Sequence, residues 1–300
     1  MSNFAARKGR PRVVGQCSST EHSGGLAPAN DDHQRSAAYA GPKPLLFTHG
    51  SLASRHMWAP YVEVFAPSRR TLAVDLYGYG DAAPWSHERP LRLADEVALI
   101  RTAISDLGAP VDVVAHSFGA VVALRLALQH PQSVDSLTLI EPVSFNILRH
   151  LGPQAAEARA EITPIAESFN AGGGDLSFAL VRFVDYWNGK GSFAGLAADK
   201  RATLLARAGQ VARDFEAVFG ERLPLAAYRR LPHSTLVVTG SASPSAALVA
   251  SKAVARLAPR GWSITIDGAG HMLPFTHAPS LKAILLERLG ASSNVAPRAA

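Results

Sequence analysis

Short apolar runs alternate with stretches of helical periodicity along most of the chain, beginning at about residue 44. Strands that are apolar throughout and separated by helices predict a parallel sheet covered on both faces. Apolar residues at helical spacing predict helices at 94–107 and 120–129, and the second ends before Pro131. The predicted strands are Leu45–Thr48, Thr71–Asp75, Val111–Ala115, Leu137–Ile140, Leu236–Thr239 and Ser263–Asp267. The fold class is therefore predicted to be α/β, a mostly parallel sheet with helices on both faces.

One long segment, from Pro142 to about Pro232, interrupts this alternation. It carries helical patterns, and apolar residues that recur at helical spacing from Leu204 to Phe219 predict an amphipathic helix. About ninety residues are too many for a crossover in a compact sheet. We therefore predict a helical cap at 143–231 that lies over the carboxyl ends of the strands, where ligands bind in such sheets.

The remaining chain divides into a core and two tails. The α/β core is predicted at 41–142 and 232–290, with a last helix at Ser280–Leu289. Residues 1–40 are rich in Ser, Gly, Ala, Asn and charged side chains, and 291–300 in Ser, Ala and Pro. Such segments bury too little apolar surface to offset the entropy of ordering, so both are predicted to be disordered tails.

Composition and charge narrow the function classes. The chain has 300 residues, 47% of them hydrophobic, but no apolar run of the ~18 residues that a membrane span needs. The positive charges near the N-terminus precede no apolar segment of a secretory signal, and the single cysteine, Cys17, is typical of a reducing compartment. We expect a cytoplasmic protein. The net charge of +6 is scattered, which predicts no nucleic-acid partner; a monomer or homodimer that acts on a small molecule is expected.

The candidate chemistry begins at Ser117, which follows the apolar strand Val111–Ala115 directly and precedes a helix. Ala115 and Gly119, two residues before and after the serine, allow a sharp turn that would expose its hydroxyl above the sheet, as in a nucleophile elbow. The usual pattern has glycine at both positions. The alternative is a serine that only caps the helix.

A nucleophilic serine needs a base, and His271 is the candidate. It lies in a glycine-rich loop just after the last predicted strand, and a neutral imidazole with a pKa near ~6.5 suits proton transfer. His277 is the nearest rival, but it lies further from the strand end.

The acid that orients the base is less obvious. The loop after the next-to-last strand has Ser243 where many proteins of this layout place aspartate. Glu141, at the tip of the strand that follows the nucleophile strand, is the predicted acid, because a neighbouring parallel strand would present it to His271. Asp267 is the runner-up, and the alternative for Glu141 is a loop-capping role.

Two further sets of residues complete the predicted site. The backbone N–H groups of Phe118 and of Ser51 (or Leu52) are predicted to form an oxyanion hole, since Gly50 allows close approach of the backbone after the first strand. The predicted substrate-binding residues are His116, Leu52 and Trp187. The alternative for His116 is a packed structural residue that points into the fold, and the alternative for Trp187 is an aromatic residue of the core.

These motifs together resemble the α/β-hydrolase fold superfamily. The matching segments are His49–Gly50, Asp75–Gly80, Ala115–Gly119 and Gly268–His271, and the resemblance covers about residues 44–290. It implies a Ser–His–acid triad and no cofactor. The sequence has no His/Cys/Asp cluster with zinc spacing, so no metal is expected. A Gly-x-Gly in the second segment lacks the third glycine of a dinucleotide-binding loop.

The sequence departs from the usual pattern at Ser243, where the family's aspartate is absent. One branch of the haloalkane dehalogenases carries a glutamate after the strand that follows the nucleophile, and Glu141 resembles that placement. Those enzymes use an aspartate nucleophile, whereas Ser117 indicates acyl chemistry. The leading hypothesis is a serine hydrolase of a small carboxylic ester, thioester or lactone. The alternatives are a carbon–carbon bond hydrolase of a diketone and a non-catalytic ligand-binding homologue, because substrate does not follow from fold.

Overall fold

The computed structural model describes residues 41–170 and 175–290, and the predicted tails lie outside these ranges. Its strands are β1 (Leu45–Thr48), β2 (Thr71–Val74), β3 (Val111–His116), β4 (Val134–Ile140), β5 (Ser234–Gly240) and β6 (Gly261–Ile266). They form one sheet in the order β2-β1-β3-β4-β5-β6, and every neighbouring pair is parallel. The predicted α/β fold class is confirmed.

The strand order places a crevice beside β1 and β3. The chain runs from β1 outward to β2, then returns to the other side of β1 and continues outward to β6. The connections after β1 and β3 therefore diverge at adjacent carboxyl ends, which is where ligands bind in open α/β sheets.

Helices cover both faces of the sheet. They are α1 (Ala59–Phe65), α2 (Leu93–Ile104), α3 (Phe118–Gln129), α4 (Ala156–Asn170), α5 (Ser177–Asn188), α6 (Ala198–Leu205), α7 (Ala208–Gly220), α8 (Leu225–Tyr228), α9 (Ser245–Leu257), α10 (Leu273–Thr276) and α11 (Ala278–Gly290). Side chains that alternate along the strands divide between two apolar clusters, one with α2, α3 and α9 and the other with α1 and α11. Because both faces are covered, strands such as β3 are buried along their whole length.

Helices α4 to α8 lie between β4 and β5 and form a helical insertion, residues 143–231. Its interior holds Phe169, Phe183 and Phe215, whose ring centroids lie 5.2–6.3 Å apart. These rings belong to the same apolar cluster as α2, α3 and α9, so the insertion packs onto that side of the core. No helix within the described ranges is long and apolar enough to cross a membrane.

Several boundary predictions are wrong; β5 and β6, for example, begin at Ser234 and Gly261 rather than at Leu236 and Ser263. The single amphipathic helix expected over 204–219 is interrupted, because α6 ends at Leu205 and α7 begins at Ala208. At the break Arg207 donates its backbone N–H to Leu204 O (2.9 Å), a tight turn across which the apolar spacing continues unchanged. Strand β4 begins at Val134 rather than Leu137, because its backbone pairs with β3 from that residue on.

Candidate active site

Ser117 lies on a strained turn between β3 and α3. Its backbone has φ 55° and ψ −118°, in the region that glycine favours and that other residues adopt at a cost of about 1–3 kcal/mol. A Cβ at Gly119 would lie 2.4 Å from the carbonyl oxygen of His49, so only glycine lets α3 pass this close to the loop after β1. The turn therefore has the geometry of a nucleophile elbow.

Three side chains from distant parts of the chain form a hydrogen-bonded series. Ser117 Oγ lies 2.9 Å from His271 Nε2, and His271 Nδ1 lies 3.3 Å from Glu141 Oε2. All three residues are buried, with Ser117 8% exposed, His271 2% and Glu141 0%. The structure thus brings together the predicted nucleophile, base and acid at the carboxyl ends of the sheet.

Glu141 is held in a fixed orientation. Its backbone has φ 50°, and its N–H donates to Val238 O (2.9 Å) on the neighbouring strand. Its Oε1 accepts hydrogen bonds from the Gly240 N–H and from the Ser243 hydroxyl, both at 2.8 Å. Because Oε1 is occupied in this way, Oε2 faces the imidazole. Ser243, the residue in place of the expected aspartate, thus helps to anchor the glutamate.

The rival residues lie elsewhere. Asp267 is exposed and accepts a hydrogen bond from Ser241 Oγ (2.8 Å) rather than from His271. His277 pairs its Nδ1 with Thr276 Oγ1 at 2.9 Å.

Two further histidines fix the surrounding loops. His116 Nε2 donates to the carbonyl oxygen of His271 (2.9 Å), and burial lowers the pKa of His116 well below its usual range, so the ring is neutral. His49 donates from Nδ1 to Gly50 O (2.8 Å) and accepts the Leu76 N–H at Nε2 (3.0 Å), while burial lowers its pKa to about 4. His116, predicted to bind substrate, makes a structural contact to the histidine loop.

The predicted oxyanion residues surround the serine. We call residues 49–52 the oxyanion loop. A Cβ at Gly50 would lie 2.8 Å from Ser117 Cβ, so this loop touches the nucleophile. Phe118 is the first residue of α3, and N–H groups in the first turn of a helix have no intrahelical acceptor. Leu52 has φ 62°, which turns the loop sharply.

Trp187 on α5 lies over the imidazole of His271. The two ring centroids are 3.7 Å apart with an interplanar angle of 25°, and Trp187 is 8% exposed. The helical insertion thus contacts one member of the hydrogen-bonded series directly, and the serine beneath is shielded from solvent.

Sequence reasoning missed Asp214, a buried acid on α7 that accepts a hydrogen bond from Ser51 Oγ at 2.5 Å. The available signal was an acid within the apolar stripe that includes Val211, Phe215 and Val218. In the described ranges, no group of three or more His, Cys, Asp or Glu side chains is placed to hold a metal ion.

A parallel sheet with a serine on a strained turn after a central strand and a histidine after the last strand is the arrangement of the α/β-hydrolase fold. Residues 45–281 match the model of the alpha/beta hydrolase family. The chain therefore belongs to this family, as its motifs predict.

The chain is also similar to known hydrolases, at low sequence identity or over part of its length. The chain is 36% identical over 110 residues to the probable lysophospholipase BODYGUARD 1 of Arabidopsis thaliana, which covers 34% of this chain and 23% of that protein. It is 21% identical over 237 residues to the (E)-2-((N-methylformamido)methylene)succinate hydrolase of Acinetobacter baylyi, covering 78% of this chain and 85% of that protein. The structure of MGS-M2, an alpha/beta hydrolase enzyme from a Medee basin deep-sea metagenome library, has a TM-score of 0.68 at 16% identity, covering 87% of this chain and 94% of that one. The chain spans less than half of the length of the first six curated relatives.

Proposed function

We propose that the protein is a serine hydrolase that cleaves a small carboxylic ester, thioester or lactone through an acyl-enzyme. The observation that carries the proposal is the series from Ser117 Oγ to His271 Nε2 (2.9 Å) and from His271 Nδ1 to Glu141 Oε2 (3.3 Å). A neutral imidazole that accepts the serine proton at Nε2 and is oriented at Nδ1 by a carboxylate is the arrangement that acyl transfer requires.

In the proposed first step Ser117 Oγ attacks the substrate carbonyl carbon while its proton moves to His271 Nε2. The carbonyl oxygen becomes an oxyanion that accepts hydrogen bonds from the backbone N–H groups of Ser51 and Phe118. The imidazolium then gives its proton to the leaving alkoxide or thiolate, which departs and leaves an ester on Ser117. Water attacks this ester with the same proton transfers, which releases the acid and restores the serine.

Glu141 has the role of orienting the imidazole. Its Oε2 accepts the Nδ1–H of His271, which keeps the lone pair on Nε2 towards the serine and offsets the positive charge that develops on the ring. The carboxylate is fully buried, and its Oε1 already has two donors, so it is pre-organised for this contact.

The helical insertion has the proposed role of a cap that selects the acyl group. Its Trp187 covers one face of the imidazole at a ring separation of 3.7 Å. This places an indole face against a ring that becomes cationic during the reaction. The name of BODYGUARD 1, a probable lysophospholipase, is that of a carboxylic ester hydrolase and supports the choice of bond.

A fluorophosphonate probe tests the nucleophile. We expect it to label wild-type protein at Ser117, and the label to be absent in Ser117→Ala. A panel of p-nitrophenyl esters of increasing acyl length, a thioester, a lactone and a vinylogous diketone then identifies the bond that is cleaved. Turnover of the diketone alone would instead indicate a carbon–carbon bond hydrolase. A folded sample with neither label nor turnover would contradict catalysis and indicate a binding protein.

A further inference from the structure

A buried acidic residue outside the proposed triad connects the helical insertion to the oxyanion loop. Asp214 lies on α7 and is 2% exposed. Its Oδ2 accepts the hydroxyl protons of Ser51 (2.5 Å) and of Tyr79 (2.6 Å), and its Oδ1 accepts a hydrogen bond from Gln210 Nε2 at 3.1 Å. When the carboxylate is ionised, these hydrogen bonds are charge-assisted and roughly twice as strong as neutral ones.

The second donor, Tyr79, extends the connection. Tyr79 is fully buried, and the backbone of Leu52 as well as the Ser51 hydroxyl interacts with its phenol oxygen. Asp214 therefore reaches the oxyanion loop at two consecutive residues, directly at Ser51 and through Tyr79 at Leu52. Gln210 packs against Gly78, where a Cβ would lie 2.4 Å from its amide oxygen, so α7 seats on the turn that carries Tyr79.

His49 holds the first residues of the oxyanion loop through its hydrogen bonds to Gly50 O and to the Leu76 N–H, and the later residues are held differently. Gly50 has no side chain, and Leu52 adopts a positive φ of 62° that a leucine does not favour. A strained backbone persists only when its surroundings determine it. The hydrogen bonds to Asp214, which lies 163 residues from Ser51 in the sequence, hold the loop in this conformation.

We propose that Asp214 is a positioning residue that holds the Ser51 N–H in place for the oxyanion, so that the seating of α7 sets the activity of the hydrolase. The proposal rests on the proposed function of the same site. Ser51 is the predicted oxyanion donor that Asp214 contacts directly. Loss of one oxyanion donor costs about 10²–10³ in kcat. Loss of its positioning is expected to cost less, about 10–10² in kcat, with KM nearly unchanged.

The charge state of Asp214 supports this role. Burial raises its pKa to about 7, although the hydrogen bonds from Ser51, Tyr79 and Gln210 lower it. The titratable and charged groups that face it are Tyr79, Glu96 on α2 and Arg213 on α7. Burial and the charge of Asp214 raise the pKa of Tyr79, which keeps the phenol a donor at neutral pH. Above a pH of about 7 the carboxylate is ionised and accepts both hydroxyl protons, whereas below that pH the protonated acid carries a competing O–H.

The test compares Asp214→Leu, which removes both acceptors at similar volume, with Asp214→Asn, which keeps the polarity. Asp199→Asn, an exposed acid in the same insertion, is the matched control. We expect Asp214→Leu to lower kcat by about 10–10² and the affinity for a trifluoromethyl ketone by the same factor, because that ligand binds as an oxyanion. The kcat of Asp214→Asn should lie between those of wild type and Asp214→Leu, and the kcat of Asp199→Asn should equal that of wild type.

A double-mutant cycle separates positioning from general stability. If Asp214 acts through the oxyanion loop, adding Ser51→Ala to Asp214→Leu lowers kcat little further, whereas independent effects would multiply. Hydrogen exchange in residues 49–54 should accelerate in Asp214→Leu while the peptides of β3 remain protected, and this readout does not need activity.

Failure of this inference and failure of the proposed function give different results. An active wild type with kcat unchanged in Asp214→Leu, or with unchanged exchange in the loop, overturns this inference and leaves the proposed function standing. A wild type that neither turns over an ester nor labels at Ser117 overturns the proposed function, while accelerated exchange in Asp214→Leu would still establish the contact as the anchor of the loop. If Asp214→Leu does not fold, Asp214→Asn and Ser51→Ala decide.

Discussion

Glu141→Gln is the most informative single substitution, because the structure determines how the new amide must lie. Gly240 N–H and the Ser243 hydroxyl both donate to Oε1 at 2.8 Å, so the amide oxygen of glutamine takes that position and its NH₂ group faces His271 Nδ1. The NH₂ group can only donate. Nδ1 then becomes an acceptor, the ring proton moves to Nε2, and the imidazole can no longer accept the proton of Ser117.

The expected loss of kcat depends on the orientation of the amide and on the tautomer of the imidazole. Turning the amide round would leave the buried N–H of Gly240 without an acceptor, which costs about 1–3 kcal/mol and keeps the productive orientation at roughly 1–15% of molecules. A wrong imidazole tautomer in the equivalent substitution of a Ser–His–Asp enzyme lowers kcat by about 10⁴. The loss of productive orientation alone lowers kcat by about 10–10², and the wrong tautomer sets an upper limit near 10⁴. We therefore expect kcat to fall by about 10–10⁴, which corresponds to about 1–5 kcal/mol at 1.36 kcal/mol per decade.

The assay is steady-state hydrolysis of a p-nitrophenyl ester, with active sites counted by fluorophosphonate and folding checked by circular dichroism. Asp267→Asn is the matched control, since this acid follows β6 and bonds to Ser241 rather than to His271. Asp267→Asn should retain wild-type kcat. A folded Glu141→Gln protein that keeps more than about a tenth of the wild-type kcat would refute the reasoning, and a collapse in Asp267→Asn instead would identify Asp267 as the acid.

Three further predictions follow from the same contacts. Ser243→Asp in the Glu141→Gln background should restore part of the lost kcat, because the Ser243 hydroxyl lies 2.8 Å from Glu141 Oε1. No gain in the double variant would count against the need for a carboxylate. Trp187→Ala should lower the free energy of unfolding in urea by about 3–5 kcal/mol. Because it uncovers the imidazole, it should also speed the labelling of Ser117 by a bulky fluorophosphonate, and an unchanged labelling rate would disprove the covering role. Burial, and then Asp214, raise the pKa of Glu96 from 4.5 to about 8. The wild type should therefore lose stability as pH rises from about 4.5 to 8, and Glu96→Gln should lose less. Urea midpoints that change equally in both proteins between about pH 5 and 8.5 would contradict this.

Much of the fold could be predicted from local patterns. Strands buried on both faces must be apolar throughout, and helices that cover them must be apolar on one side, so the alternation along the chain indicates a parallel α/β sheet. Ser117 and His271 could be proposed as site residues for a similar reason, because each lies in a short segment whose small residues permit a turn at a strand end. Helix ends were predicted less well, as the break between Leu205 and Ala208 shows, because a tight turn need not disturb apolar spacing.

Relations between distant segments required the tertiary structure. Glu141 and Asp267 both follow strands in the sequence, and only the position of β4 between β3 and β5 places Glu141, 130 residues from His271, against the imidazole. The contact of Asp214 with Ser51 and the stacking of Trp187 on His271 depend on how the helical insertion seats on the sheet. Sequence by itself determined which segments are buried and where the chain turns, since those depend on neighbouring residues. Which side chains meet across the crevice was decided by the packing of elements far apart in the chain.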